Sequence, residues 1–250
     1  MHRILCTSLL LIVALGGAAD SAELKIFGSR VTKMVIEEIG PQFERTTGYK
    51  PVVVTDVAAV MKRRIESGES FDIAVLINFQ ADDLIKAGKL LAATRADVMK
   101  AGIGVAVRRG AEKPDISTAA AFTRTLLAAK SIVYLKEGGS TRHLTDVFNR
   151  LGIADALRSK TIQPMTESVS EMVASGEAEL GIIVIPNILS VQGAELVGPL
   201  PPELQSYIVF TAGVSAQSSN QQAASELIKL LTGPGIGPVL RAKGMEPPSG

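Results

Sequence analysis

The sequence predicts an α/β protein of two lobes with a ligand cleft between them, and three observations carry that prediction. Short β-rich runs alternate with helix-period runs from Glu23 onward, the pattern of largely parallel sheets linked by crossover helices. The same alternation begins again after a connecting stretch that ends near Ile103. A chain of 250 residues is also long enough for two lobes of about 100 residues, each with its own core.

In the first half, Leu24-Lys25-Ile26-Phe27 is a strand that runs at once into Gly28-Ser29-Arg30. Helical periodicity follows in Val31, Met34, Val35, Ile39 and Phe43 and stops at Gly48. Pro51 to Val54 is the second strand, Thr55-Asp56 its exit, and the next helix carries Val60, Met61 and Ile65. After Ser67-Gly68-Glu69-Ser70 comes a continuous apolar strand from Phe71 to Ile77. This β-α-β-α-β spacing suits right-handed crossovers.

In the second half, Ile103 to Val107 is a strand, Arg108 to Pro114 a turn-rich linker, and Ala119 to Ala128 a helix entered through Ser117-Thr118. Ser131 to Leu135 is a buried strand that opens onto Lys136-Glu137-Gly138-Gly139-Ser140-Thr141, and the helix beyond carries Leu144, Val147, Phe148 and Leu151. Thr161-Ile162 starts a strand, Glu167 to Ala174 forms a helix, and Leu180 to Ile185 is the most apolar strand of this half. Beyond Pro199, Pro201 and Pro202 the chain returns as a strand from Tyr207 to Val214, then a helix from Gln222 to Leu231 and a Gly-Pro-rich end. Extended segments near 103–110 and 200–210 join the lobes, which makes residues 23–105 with 205–250 one lobe and 106–204 the other.

Composition narrows the function classes. With 26 Lys+Arg against 25 Asp+Glu and 46% apolar residues, the chain is neither disordered nor basic enough for a nucleic-acid binder. The mean hydropathy of +0.27 agrees with a well-buried globular protein. Residues 1–22 form a secretory signal: His2 and Arg3, an apolar run from Ile4 to Leu15, then small residues with cleavage after Ala19 or within the next three positions. No later stretch approaches the length of a membrane span, so a soluble, periplasmic product is expected. Its removal takes Cys6, which excludes a disulfide framework and a multi-cysteine metal site, and leaves His143 as the only histidine. No metal or other cofactor is expected.

The loops at the carboxyl ends of the strands are Gly28-Ser29-Arg30, Thr55-Asp56, Asn78-Phe79, Gly138 to Thr141, and Pro186-Asn187. Ligands of open α/β sheets sit at such ends, and a helix N-terminus with a serine hydroxyl is a ready anion site. The candidate ligand-binding residues are therefore Ser29, Arg30, Thr55, Gly139, Ser140, Thr141, Arg142 and Asn187. Plainer roles compete with these: Ser29 and Ser140 as helix N-caps, Asp72 as a structural carboxylate, His143 as surface packing, and Lys62, Arg63 and Arg64 as a solvated face with one arginine at the cleft rim. The serines form no G-x-S-x-G elbow, and Gly138-Gly139-Ser140-Thr141 lacks the Gly-Lys ending of a nucleotide loop. Glu37-Glu38 and Asp82-Asp83 are read as helix-surface carboxylates.

The whole chain beyond the signal resembles the periplasmic solute-binding proteins of ABC transporters, in the type II, molybdate-binding-like group. The residues that carry the resemblance are Leu24 to Arg30, Arg64-Ile65-Glu66-Ser67-Gly68 with Phe71-Asp72-Ile73, Gly88-Lys89-Leu90, and Gly102 to Val107. Lys113-Pro114-Asp115-Ile116, Leu151-Gly152-Ile153, Gly176 to Gly181, and Lys243-Gly244-Met245 complete it. The resemblance implies the two-lobed type II periplasmic-binding fold, a monomer that closes on a small anion, and an ABC permease as partner. In molybdate binders serines and a tyrosine hold the oxyanion. Ser29 matches the first serine, whereas the second serine falls near Val57-Ala58 and the tyrosine near Val184, where no hydroxyl stands. With Arg30 and Arg142 nearby, the set favours an organic carboxylate over molybdate. An exported aconitate isomerase of similar family membership is the alternative, with Asp56, Glu167 and His143 as candidate bases.

Overall fold

The computed structural model describes residues 22–166 and 168–248. The export segment therefore lies outside the described residues except for Ala22, which opens the first strand; Glu167 lies outside them as well. Strands β1 (Ala22–Gly28), β2 (Tyr49–Thr55) and β3 (Ile73–Ile77) are parallel, with β1 in the middle. The crossovers between them are α1 (Arg30–Thr47) and α2 (Ala58–Glu66). Helix α1 turns Val31, Val35, Ile36, Ile39 and Phe43 inward. It stops where Gly48 takes φ 73° and donates its N–H to Glu44 O at 2.8 Å, a left-handed cap that glycine adopts without strain.

Helix α3 (Asn78–Lys86) follows β3 directly, and β4 (Ala96–Arg108) then runs for 13 residues. Beyond it come α4 (Ala119–Ala128), β5 (Ile132–Val133), α5 (Thr141–Arg150), α6 (Ala154–Arg158), β6 (Thr161–Ile162) and α7 (Val169–Ser175). The chain closes with β7 (Leu180–Val184), α8 (Ile185–Leu189), β8 (Ala194–Pro199), β9 (Tyr207–Val214), α9 (Gln221–Thr232) and α10 (Ile236–Ala242). Among the described residues, the nine strands join one curled sheet in the order β2-β1-β3-β9-β4-β7-β5-β6, with β8 paired to β4.

Strand β4 changes partners part-way along. Ala96 to Gly102 pair with β9, and Ile103 onward pairs with β7 on one side and β8 on the other. The Gln205 side chain sits at the changeover: Ile103 N donates to its Oε1 at 3.1 Å, and its Nε2 donates to Ile103 O at 2.9 Å. One continuous core runs through both halves, with Ile26, Val75, Ile103, Val105, Phe122 and Ile182 among its members. The other face of the first sheet half packs a smaller cluster of Phe27, Met61, Ile65, Phe71, Leu76 and Leu84. No helix among the described residues is long and apolar enough to cross a membrane.

Several expectations need correction. The sheet is mixed rather than largely parallel, because β4 and β9 pair antiparallel with every neighbour they have. The strand expected at Ile103 to Val107 is the second half of β4; its first half, like β8, has a mixed burial pattern that gives no clean period. The strand expected from Ser131 to Leu135 is only Ile132–Val133. Leu135 already belongs to the loop beyond, where its carbonyl accepts from Thr141 Oγ1 at 2.8 Å. Pro186-Asn187 opens α8 rather than forming a loop, since a proline in the first turn forfeits no helical hydrogen bond. Helix α10 occupies the Gly-Pro-rich end.

Two polar clusters brace the first half. Asp72, buried at the entrance to β3, accepts from Lys25 N at 2.8 Å, Ser218 Oγ at 2.5 Å and Asn220 Nδ2 at 3.2 Å, so it ties β1 to the turn before α9. This is the structural role its setting in the sequence predicts. Arg64 clasps Glu69 through Nε and Nη2, each at 2.7 Å, while its guanidinium lies 4.8 Å over the Phe27 ring. Lys25 Nζ adds a contact to Glu69 at 3.2 Å. Hydrogen bonding from Arg64, with help from Lys25, lowers the Glu69 carboxyl from its ordinary value near 4.5 to about 2. A carboxyl depressed in the folded state contributes stability that is complete above its unfolded value and is lost as pH falls towards its folded one. Glu69→Gln should therefore lower the melting temperature at neutral pH and flatten the loss of stability between about pH 4.5 and 2. Thermal melts of both proteins across that window check it, and parallel pH curves would refute it.

Candidate functional site

The carboxyl ends of β1, β2, β5 and β7 converge. At the end of β1, a Cβ on Gly28 would lie 2.7 Å from Thr32 Cβ, so only glycine lets α1 start this close to the strand. Ser29 is the N-cap residue of α1 but its side chain makes no capping bond. At the end of β2, Asp56 N donates to Gly28 O at 3.1 Å and Asp56 Oδ1 accepts from Val57 N at 2.8 Å, which sets α2 beside α1. On the opposite side, Thr141 Oγ1 accepts from Gly138 N at 2.8 Å and donates to Leu135 O, folding the paired glycines against the start of α5. Ser140 is the N-cap residue there and likewise makes no side-chain cap, in contrast to Thr118, which accepts from Ala121 N at the start of α4.

Between these ends lies a cavity of about 40 Å³, lined by Ser29, Gly138, Gly139, Ser140 and Asn187 and by the apolar groups of Val31, Val57, Ala58, Leu135, Ile183, Val184, Ile208 and Phe210. One water needs only about 10–15 Å³, so a compact polyatomic group fits. Among the described residues, no charged side chain lines the cavity. Three helices, α1, α2 and α5, begin at it, and the N–H groups of a helix's first turn have no partner within the helix. Their dipoles make the cavity positive without any formal charge. Ser29 Oγ and Asn187 Oδ1 are buried and, among the described residues, have no hydrogen-bond partner. Buried polar atoms are nearly always paired, so two orphans in one cavity make it the candidate ligand site.

Beside it is an open pocket of about 560 Å³, lined by Arg30, Lys33, Thr55, Asp56, Thr166, Ser168 and Glu171. The two are neighbours, since Ser29 and Arg30, and likewise Asp56 and Val57, line one and the other. Of the sequence candidates, the structure gathers Ser29, Gly139, Ser140 and Asn187 in the inner cavity and Arg30 and Thr55 in the open pocket. Thr141 shapes the loop. Arg142 stacks 5.1 Å from the ring centroid of Phe79, on α3 of the other half. Arg30 Nη1 is 2.6 Å from Glu171 Oε1 on α7, and Arg63 Nη1 is 2.8 Å from Glu137 Oε2, so Arg63 is the arginine at the rim. Neither glutamate was a sequence candidate, because nothing local announces a partner on the other half.

His143 Nε2 lies 2.7 Å from Leu204 O, and since a carbonyl only accepts, the proton is on Nε2. It lines neither space. A groove of about 770 Å³ elsewhere, along Val107, Arg124, Ala128, Glu179 and Leu180, meets the C-terminal end of α4, where the helix field is negative. Asp82 pairs with Arg95 at 2.6 Å, and Glu38 with Lys243 at 3.3 Å, as helix-surface carboxylates do.

Comparison with known proteins agrees with this architecture. The chain is 27% identical over 217 residues to an aconitate isomerase of a Pseudomonas species, a match that covers 85% of this chain and 83% of that protein. It is 24% identical over 246 residues to the molybdate-binding protein ModA of Azotobacter vinelandii, covering 94% of this chain and 96% of that one. The solved structure of the A. vinelandii periplasmic molybdate-binding protein superposes with a TM-score of 0.76 at 18% identity, over 90% of this chain and all of that one, and so shares the type II periplasmic-binding fold. The profile of the bacterial extracellular solute-binding proteins matches residues 24–246, nearly the whole described chain, and the protein belongs to that family.

Proposed function

We propose that the protein captures a small organic anion, a carboxylate rather than molybdate, in the inner cavity and delivers it to an ABC permease. As an extracellular solute-binding protein with an export signal pattern, it works in the periplasm. The observation that carries the ligand reading is the pair of orphaned polar atoms, Ser29 Oγ and Asn187 Oδ1, in an uncharged cavity at three helix N-termini. The lobes, residues 23–105 with 205–250 and residues 106–204, close over the ligand by hinge motion.

Two features favour a carboxylate. Val57, Ala58 and Val184 present hydrocarbon to the cavity at the positions where a molybdate cage carries hydroxyls, and Leu135, Ile208 and Phe210 extend that apolar wall. A ligand with a carbon skeleton suits such a wall better than a tetrahedral oxyanion does. The relative named for aconitate, itself a carboxylate, also shares more identity with this chain than the molybdate-binding relative does.

The likeness to aconitate isomerase supports a second reading, catalysis on a small tricarboxylate. Of its candidate bases, His143 is committed to Leu204 O and Asp56 to Val57 N, and Glu167 lies outside the described residues. Neither described base lines the inner cavity. Binding without turnover is expected when aconitate is incubated with the purified protein and followed by NMR; conversion between its isomers would establish the enzyme reading instead.

A thermal-shift screen against molybdate, tungstate, sulfate, phosphate and a series of mono-, di- and tricarboxylates tests the ligand class. A carboxylate at 100 times its Kd should stabilise the protein by about 2.7 kcal/mol, and stabilisation by molybdate alone would overturn the carboxylate reading. Ser29→Ala removes an orphaned hydroxyl, so it should leave the unliganded melting temperature intact while weakening binding about tenfold to a hundredfold, the worth of a hydrogen bond to a charged group. Calorimetric titration reads the second effect, and undiminished affinity would mean that the ligand sits elsewhere.

Gly139 tests closure. A Cβ there would lie 2.9 Å from Ile208 Cγ2 and 3.0 Å from Ile77 Cδ1, across the line where the halves meet. Gly139→Ala should weaken every ligand alike and give a larger radius of gyration by solution scattering. Normal affinity with normal compactness would contradict it.

A further inference from the structure

The loop that forms one wall of the inner cavity is fastened to the first half at both of its ends. Gly138, Gly139 and Ser140 line the cavity, and α5 starts at the next residue. Just before them, Glu137 Oε2 lies 2.8 Å from Arg63 Nη1 on α2. Just after them, the Arg142 guanidinium lies 5.1 Å from the ring centroid of Phe79 on α3. Between these points the loop lies flush against the first half, since a Cβ on Gly139 would come 3.0 Å from Ile77 Cδ1 at the end of β3. Thr141 uses its hydroxyl within the loop, on Gly138 N and Leu135 O, and so sets the loop's shape but not its place.

The local sequence explains neither side of the second contact. Arg142 is the second residue of α5, and a cation in a helix's first turn opposes the helix field. Phe79 is a large apolar side chain left 43% exposed at the start of α3. Together they make sense, because the face of an aromatic ring attracts a guanidinium. The first contact joins residues 74 positions apart whose side chains remain 54% and 39% exposed, a setting in which an ion pair is weak.

We propose that Glu137 and Arg142 are positioning residues for ligand binding: with Arg63 and Phe79 they form a two-point clasp that seats Ser140 and the first turn of α5 against the cavity, and that opens when the halves part. The inference rests on the inner cavity being the ligand site. Arg142, a ligand-binding candidate by sequence, acts through the loop and does not touch the ligand. Weak contacts suit this task. A strong bond would hold the cavity shut, whereas two contacts worth a few-fold each bias the halves towards closure and still allow release.

Cys6, the one cysteine of the chain, lies in the export segment, so spin labels can be placed on the mature chain through Ala87→Cys and Asn149→Cys, both exposed and on opposite halves. Pulsed electron resonance between these labels reads the spacing of the halves with and without a probe anion. Calorimetric titration with molybdate, sulfate, acetate and succinate reads affinity. Glu137→Gln and Phe79→Leu should each raise the population at longer spacing and weaken whichever of these probes bind by about twofold to fivefold. The double variant should multiply the two losses, since the contacts share no residue. Melting temperatures without probe should stay unchanged. Phe79→Tyr should behave as wild type because its ring still receives the cation, and Arg63→Glu should restore the spacing and affinity that Glu137→Arg alone loses.

Identical spacing in the wild type and the double variant, with and without probe, overturns the clasp. So does a longer spacing with undiminished affinity, because the loop then does not seat the ligand. A failure of the charge swap to restore the spacing overturns the Arg63–Glu137 half of it. A wild-type protein that binds none of the four probes counts against the small-anion reading itself, and the spacing measured without probe then decides the clasp alone.

Discussion

The inner cavity depends on one constraint, the exchange of partners along β4. A strand of 13 residues gives its first half to β9 and its second to β7 and β8, and the Gln205 amide substitutes for a neighbouring strand at Ile103 where the exchange occurs. Because β4 is paired with neighbouring strands on both sides of that point, the two halves of the sheet are joined through a common strand. The carboxyl ends of β1 and β2 therefore meet those of β5 and β7, and the helices that start at those ends aim their first turns into one small space.

Among the described residues no formal charge lines that space, and its positive potential comes from helix dipoles. Burying a formal charge in a cavity lined by Val57, Ile183 and Phe210 would be costly when empty, whereas helix N-termini supply positive potential that the fold has already assembled. The formal charges stand outside, in the rim pairs Arg30–Glu171 and Arg63–Glu137, where water reduces both their cost and their strength. Two polar atoms, on Ser29 and Asn187, stand there without a hydrogen-bond partner among the described residues, which costs stability as long as they go unpaired.

The first half is braced independently of ligand. Asp72 joins β1 to the turn before α9, and the Arg64–Glu69 clasp lies over the Phe27–Phe71 stack, whose ring centroids are 5.2 Å apart. Both braces sit away from the cavity, and none of their residues lines it. The same division explains the histidine: His143 points from α5 to Leu204 and holds the second half together, with no part in lining the cavity.

Much of this was legible in the chain before any fold was known. Alternation and helical period are local properties, so α4 and β9 fall at the expected residues, Ala119–Ala128 and Tyr207–Val214, and the loop serines after β1 and before α5 announce anion chemistry. The mixed strand pairing was not legible, because an antiparallel neighbour such as β9 for β3 is chosen by packing between distant segments. Nor were α6 and α10, short helices of five and seven residues whose stability comes from the surfaces they lie on. Of the residues lining the inner cavity, the sequence alone singled out Ser29, Gly139, Ser140 and Asn187, although it expected Asn187 in a loop where it stands in α8. It had no means of assigning Arg30 to Glu171, or Arg142 to Phe79, because those partners lie on opposite halves and meet only when the sheet curls. Local chemistry thus determined which polar groups stand at the strand ends, because turns and helix starts are set by neighbouring residues, and tertiary packing decided which of them meet partners on the other half of the chain.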